Sequence, residues 1–103
     1  LKQRAFFVAP HRKGPLLGQL LAHPSMTSVI VFVKRKSEAN ALARLITKNT
    51  GRHAASIHSD RTQQERIDAL EDFRKGACPI LVATDVAARG IDVDNVSHVV
   101  HYD

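Results

Sequence analysis

The sequence predicts an α/β protein built on a mainly parallel sheet of about five strands. Two nearly continuous apolar runs, VIVFV at Val29–Val33 and ILVAT at Ile80–Thr84, are typical of strands that helices cover on both faces. Strand patterns alternate with helical patterns along the chain, which indicates right-handed crossovers between parallel strands. The 103 residues suffice for one small domain, which we take to span residues 1–103.

The first half of the chain supplies one strand and two helices beside the first apolar run. The sequence AFFVA within residues 4–9 predicts a strand, and leucines at helical spacing predict a helix over residues 14–21. Ser37 is a candidate cap for the next helix, whose apolar positions in 39–46 form one stripe. Gly51 then predicts the end of that helix.

The second half continues the alternation. Residues 54–58 predict a short strand, and Thr62 with Glu65 has the spacing of a capping box at the start of a third helix. Gly76 predicts its end, and residues 96–102 predict a last strand after the second apolar run. We expect the third helix to bury one face, formed by Ile67, Leu70 and Phe73.

Composition and charge restrict the partners and the compartment. The net charge of +5 favours an anionic partner such as nucleic acid or nucleotide phosphates, although it serves solubility equally well. The single cysteine, Cys78, excludes an internal disulfide and favours a reducing compartment: the cytoplasm, or the nucleus if the source is a eukaryote. No apolar run is long enough to span a bilayer, so we expect no membrane partner. The chain opens at Leu1 without Met, which suggests a segment cut from a longer protein.

Ligand-binding groups are expected where the predicted strands end. In open α/β sheets, ligands bind beyond the carboxyl ends of the strands, which here are followed by residues 34–36, 58–60 and 84–92. Lys and Arg side chains neutralise phosphate, and the Thr84 hydroxyl can donate to it. His98 and His101 lie three apart on a predicted strand and face opposite sides, so we do not expect them to share a metal.

Four segments together resemble the DEAD-box family of ATP-dependent RNA helicases. ILVATDVAARGIDV at residues 80–93 is similar to motif V, and HSDRTQQERIDALEDFRKG at 58–76 is similar to the H-G-D…Q-x-x-R…F-R-x-G segment. VIVFVKRKSEANALA at 29–43 resembles motif IV, and the final VVHYD resembles the strand before motif VI. The resemblance implies the second (C-terminal) RecA-like domain, with a three-layer fold, truncated before motif VI.

The resemblance also implies roles for individual residues. Asp92 would hydrogen-bond the ATP ribose, and Arg89 would lie at the cleft between the two domains of the parent protein. Local structure offers an alternative in each case: a turn cap for Asp92, an ion pair for Arg89 and solvated charges for the basic residues. Two positions depart from the family pattern, with Ser59 in place of Gly and Arg35 in place of Thr. The residues implied to contact the RNA backbone are Arg35, Gln63, Arg66, Thr84 and Gly90.

Half of a composite ATP site is absent from the sequence. There is neither a G-x-x-x-x-G-K-[ST] phosphate loop nor a D-E-A-D sequence, so the Mg²⁺ ligands are not in this chain. The expected cofactors, ATP and Mg²⁺, therefore belong to the full-length parent, and the expected partners are RNA and the N-terminal RecA-like domain of the same parent. We predict that the isolated chain hydrolyses no ATP.

Three other functions compete with a helicase domain. A non-catalytic RNA-binding or assembly module would have no use for a nucleotide-facing Asp92. The motif sequence T-D-V-A-A-R-G-I-D disfavours the C-terminal domain of another superfamily 2 helicase or translocase that acts on DNA. A phosphoacceptor domain would need an acidic cluster at the strand ends, and the sequence has none there.

Overall fold

The computed structural model describes residues 4–7, 21–85, 87, 91 and 96–102. These residues form two helices, α1 at Lys36–Thr50 and α2 at Gln63–Lys75. No described helix has the length and apolar character needed to cross a bilayer. The five strands are β1 at Arg4–Phe7, β2 at Val29–Val33, β3 at Ala54–Ile57, β4 at Ile80–Thr84 and β5 at His98–His101.

The strands form one sheet in the order β1-β5-β2-β4-β3, and every neighbouring pair is parallel. This confirms the predicted α/β class and the parallel sheet. The two apolar runs occupy inner positions because neither of their faces tolerates water. The helix predicted over residues 14–21 lies outside the described residues except for its last position, Leu21.

Two core clusters, one on each face of the sheet, produce three layers. On one face α1 packs its stripe of Ala39, Leu42, Ala43 and Ile46 against the odd-numbered positions of β2 and the even-numbered positions of β4. On the other face α2 packs against the opposite set, which includes Ile30, Leu81 and Ala83. The alternation follows from strand geometry, since successive side chains point to opposite faces.

The boundaries of the helices agree with the glycine and capping signals but not with Ser37. Gly51 and Gly76 close the helices with φ of 71° and 85°, a left-handed conformation that glycine adopts without strain. Ser37 was expected to cap α1, yet the helix begins at Lys36 and its N-cap is Arg35, which makes no side-chain capping bond. The tight connection from β2 starts the helix before Ser37 is reached.

The capping box at the start of α2 is present. The Thr62 hydroxyl accepts from the Glu65 N–H at 3.1 Å, and the Glu65 carboxylate accepts from the Thr62 N–H at 2.8 Å. That bond from the Thr62 backbone, with the Thr62 side chain, lowers the pKa of Glu65. The stabilisation by the carboxylate is therefore present above the ordinary pKa of Glu65 and is lost as the pH falls through the lowered value.

The buried face of α2 differs from the expected one. Phe73 is buried, but Leu70 is only half-buried and Ile67 is 44% exposed. The residue that accompanies Phe73 is Ala69, one turn before it on the same side of the helix. Because α2 lies against β3 at the border of the sheet, only a narrow stripe of it is covered. Ile67 falls outside this stripe.

We expect Thr62→Ala to lower the free energy of unfolding by about 1 kcal/mol, because the Glu65 N–H loses its capping acceptor. Chemical denaturation measures the change. Thr27→Ala is the matched control, since Thr27 is exposed in a loop. Equal losses in the two variants would show that the capping box does not stabilise α2.

Candidate functional site

The carboxyl ends of the strands meet at one edge of the sheet because all strands are parallel. In the register of the sheet, Val33 of β2 lies beside Thr84 of β4, and Ile57 of β3 lies beside Ala83. The segments that follow β2, β3 and β4 are therefore neighbours, with the β4 segment in the middle. This is the edge at which the sequence predicts ligand binding.

The segments after β2 and β3 are linked by an ion pair. Lys36 Nζ lies 3.1 Å from Asp60 Oδ1, and both side chains are more than half exposed. A pair this exposed contributes little stability. The side chain of Arg35, beside it, is exposed and forms no hydrogen bond or ion pair with the described residues. Its guanidinium is thus available to an anion at the sheet edge.

His58 has a structural role beneath the turn after β3. It is 3% exposed. The Asp60 N–H donates to His58 Nδ1 at 3.2 Å, so this nitrogen carries no proton and the other ring nitrogen does. His58 Nε2 then donates to Asn40 Oδ1 at 2.9 Å, which also accepts from the Ser56 hydroxyl at 2.7 Å. This partly buried network connects α1 to β3 and supports the turn. Sequence patterns did not indicate Asn40, because its partners are distant in the chain.

Ser59 occupies this turn without strain. None of the described non-glycine residues has a positive φ. The backbone at Ser59 is therefore in a region that residues other than glycine adopt without strain.

Arg66 joins two of the predicted segments. Its Nη2 donates to the carbonyl of Ala87, three residues beyond the end of β4, at 3.2 Å. Its Nε is buried and has no acceptor among the described residues. Gln63, three residues earlier on α2, is exposed. Helix α2 and the segment after β4 are thus in direct contact through the Arg66 side chain.

Thr84 is half-buried at the last position of β4. The predicted residues that follow it, Arg89, Gly90 and Asp92, lie outside the described residues. The structure accordingly brings Arg35, Thr84 and Arg66 to one edge of the sheet.

An aromatic pair at the same edge was not anticipated from the sequence. The rings of Phe32 and His101 are stacked, with centroids 5.5 Å apart. His101 therefore shares a face with Phe32, while His98 lies on the other face of β5, as the alternation of side chains predicts. No cluster of three potential metal ligands occurs within the described ranges.

Cys78 is held as a thiol. It is fully buried, its Sγ donates to the Ile80 carbonyl at 3.2 Å, and burial raises its pKa. Since the thiolate is the reactive form, a raised pKa disfavours nucleophilic chemistry at this position.

Comparison with known proteins gives a consistent result. Residues 12–103 match the family described as "Helicase conserved C-terminal domain". The structure is similar to the E. coli DEAD-box protein SrmB, with 34% identity, a TM-score of 0.83 and coverage of 99% of this chain and 59% of SrmB.

Two yeast proteins are similar to the same degree. The DEAD-box splicing factor Prp28 has 31% identity and a TM-score of 0.83, over 99% of this chain and 22% of that one. The C-terminal domain of S. cerevisiae Dbp5, bound to Gle1 and IP6, has 34% identity and a TM-score of 0.80, over 100% of this chain and 58% of that one. The chain thus spans about three fifths or less of the chains it matches.

Proposed function

Because the chain belongs to the family of helicase conserved C-terminal domains, we propose that it acts as the second RecA-like domain of a DEAD-box ATP-dependent RNA helicase. The observation that carries the proposal is the position of TDVAARGID: it begins at the carboxyl end of β4, a buried inner strand, with the segment after β2 beside it. That position is where an open α/β sheet presents a ligand site. We also propose that the protein works where RNA is present, in the cytoplasm or in a eukaryotic nucleus.

The chain would contribute only part of the ATP site. We assign to Asp92 the ribose hydroxyl, from which a carboxylate can accept a hydrogen bond, and to Arg89 a place at the cleft between the domains. A carboxylate repels phosphate, so Asp92 serves the sugar alone. Bound ATP and Mg²⁺ would supply the γ-phosphoryl group and the charge that neutralises it. The phosphate loop and the Mg²⁺ ligands would come from the N-terminal RecA-like domain, the proposed partner within the parent chain.

The RNA would follow the carboxyl edge of the sheet through its sugar-phosphate backbone. Arg35 at the N-terminus of α1 offers an exposed cation, and Thr84 offers a hydroxyl one strand away. Adjacent strands lie about 4.8 Å apart, so both groups are within reach of one short stretch of backbone. Gln63, Arg66 and Gly90 complete the proposed contacts. Groups of this kind position nucleic acid without reading its bases.

A non-catalytic RNA-binding or assembly module is the competing function. It would use the same cationic edge and would give the same dependence on salt. Such a module differs from a helicase domain in one respect: its Asp92 would have no nucleotide to bind. Nucleotide dependence therefore separates the two functions.

The purified chain should hydrolyse no ATP above a buffer control, with or without RNA, because it has no phosphate loop and no D-E-A-D carboxylates. Phosphate release measures this. Activity that persists in Asp92→Ala would contradict a shared site completed by a second domain.

In the full-length protein, Asp92→Ala should raise the ATP concentration needed for RNA-stimulated hydrolysis roughly tenfold. The lost hydrogen bond is worth about 1–2 kcal/mol, and 1.4 kcal/mol is a factor of ten. RNA affinity without nucleotide should be unchanged. Thr84→Ala should show the reverse, with weaker RNA binding and an unchanged ATP requirement. Both variants are measured in both assays, with Asp94→Ala as the control carboxylate. Equal loss of nucleotide-free RNA binding in Asp92→Ala and Thr84→Ala would disprove this division of labour.

Arg66→Ala should reduce the slope of log affinity against log salt by about 0.7 for single-stranded RNA if Arg66 neutralises one phosphate. Arg74→Ala is the control on the same helix, because Arg74 is exposed and pairs with Glu71. Titrations of both variants across salt concentrations are compared with the wild type. A slope that stays at the wild-type value, together with a lowered unfolding temperature, would restrict Arg66 to supporting Ala87.

A further inference from the structure

The outer side of β3 presents backbone groups that no described strand covers. β3 ends the sheet, with β4 as its one neighbour among the described strands. The Ala54 N–H donates to Thr47 Oγ1 of α1 at 3.0 Å, so it does not pair with β4. On the opposite side of β4, the Pro79 carbonyl accepts from the Val29 N–H of β2 at 2.8 Å. Ala54 thus directs its backbone away from β4. Because backbone direction alternates along a strand, Ser56 also presents its N–H and carbonyl outward.

A groove with a cavity of about 650 Å³ runs along this outer side, between α1 and α2. Its floor is made of small side chains, with Ala54, Ala55 and Ser56 on the strand and Ala43 and Ala69 on the two helices. The small side chains leave room for another chain to approach the backbone of β3. An unpaired strand edge is a template for the addition of a strand.

The two walls of the groove differ in charge, apart from the ion pair of Arg61 and Glu65 at 3.4 Å, which also lines it. Arg44 and Lys48, one turn apart on α1, line one wall, and Asp68 and Asp72, one turn apart on α2, line the other. Like charges at this spacing mildly destabilise a helix. On α2 this is offset at Asp68, which accepts a hydrogen bond from Gln64 Nε2 at 2.8 Å. No ion pair between the described residues crosses the groove.

We propose that this groove binds an extended peptide of a partner protein, which pairs with β3 as an additional strand. Side chains of such a strand alternate between the two faces of the sheet. Acidic side chains at every second position would face Arg44 and Lys48, and basic side chains at the intervening positions would face Asp68 and Asp72. RNA is a poor occupant, since its phosphates would meet the aspartates.

The proposal is independent of the helicase function. None of the residues proposed to contact RNA or ATP lines the groove. Peptide binding and RNA-stimulated ATP hydrolysis can therefore fail or succeed separately.

Two labelled peptides of identical composition provide the probe. One alternates glutamate and lysine at every position, which segregates the charges onto two faces; the other repeats Glu-Lys-Lys-Glu, which mixes the charges on each face. With the full-length protein at low salt, fluorescence anisotropy should show the alternating peptide bound about tenfold more tightly, a difference of about 1.4 kcal/mol. Equal affinities would overturn the proposal, as would displacement of the alternating peptide by single-stranded RNA.

Charge exchange makes the test specific to the walls. Arg44→Glu with Lys48→Glu should abolish the preference, because both walls are then acidic. Adding Asp68→Lys and Asp72→Lys should restore it, since the peptide regains complementarity when it shifts by one residue. Failure to restore the preference in a folded four-site variant would contradict the proposal.

Hydrogen exchange on the wild type needs no substitution. The Ser56 amide should be protected by the alternating peptide and not by the mixed one. Protection of Ser56 by self-association of the protein, without any peptide, would instead identify the groove as an interface between two copies of the chain and would overturn the proposal.

Discussion

The structure depends on the burial of β4 between β2 and β3. Ile80, Leu81, Val82 and Ala83 are all inaccessible to solvent, so this strand must have a neighbour on each side and a helix over each face. Each large aliphatic side chain removed from water contributes about 1.5–3 kcal/mol. Burial of both faces of β4 requires an arrangement of at least three layers. Placement of α1 and α2 on opposite faces follows from the same requirement.

The burial of β4 also determines where the polar groups of the candidate site lie. A strand covered on both faces can offer polar groups only beyond its ends, and in a parallel sheet the carboxyl ends lie together. Thr84 is the first residue of β4 to gain partial exposure, and the Ala87 carbonyl just beyond it is held by Arg66. The segment that resembles motif V is thereby attached to α2 as well as to its own strand.

Pattern-based inference succeeded where the relevant interaction is local. The apolar runs, the glycines that end the helices and the capping box of Thr62 and Glu65 each depend on residues within a few positions, and the structure confirms them. It failed for the cap expected at Ser37, because the start of α1 depends on the path of the connection from β2. It also failed for the burial expected of Ile67, which depends on how much of α2 lies over the sheet. The network of Asn40, Ser56 and His58 was not foreseen, because its members come from two elements separated by a crossover.

The sequence by itself determined the α/β class, the order of the described elements and the family, because hydrophobic periodicity and a long contiguous motif are properties of neighbouring residues. Only the tertiary structure decided the strand order β1-β5-β2-β4-β3, the contact of Arg66 with Ala87 and the side of β3 that no described strand covers. It also decided that two charged helices face each other across a groove. These features arise from which strands become neighbours. That choice depends on the packing of two helices on opposite faces of the sheet, which no local pattern records.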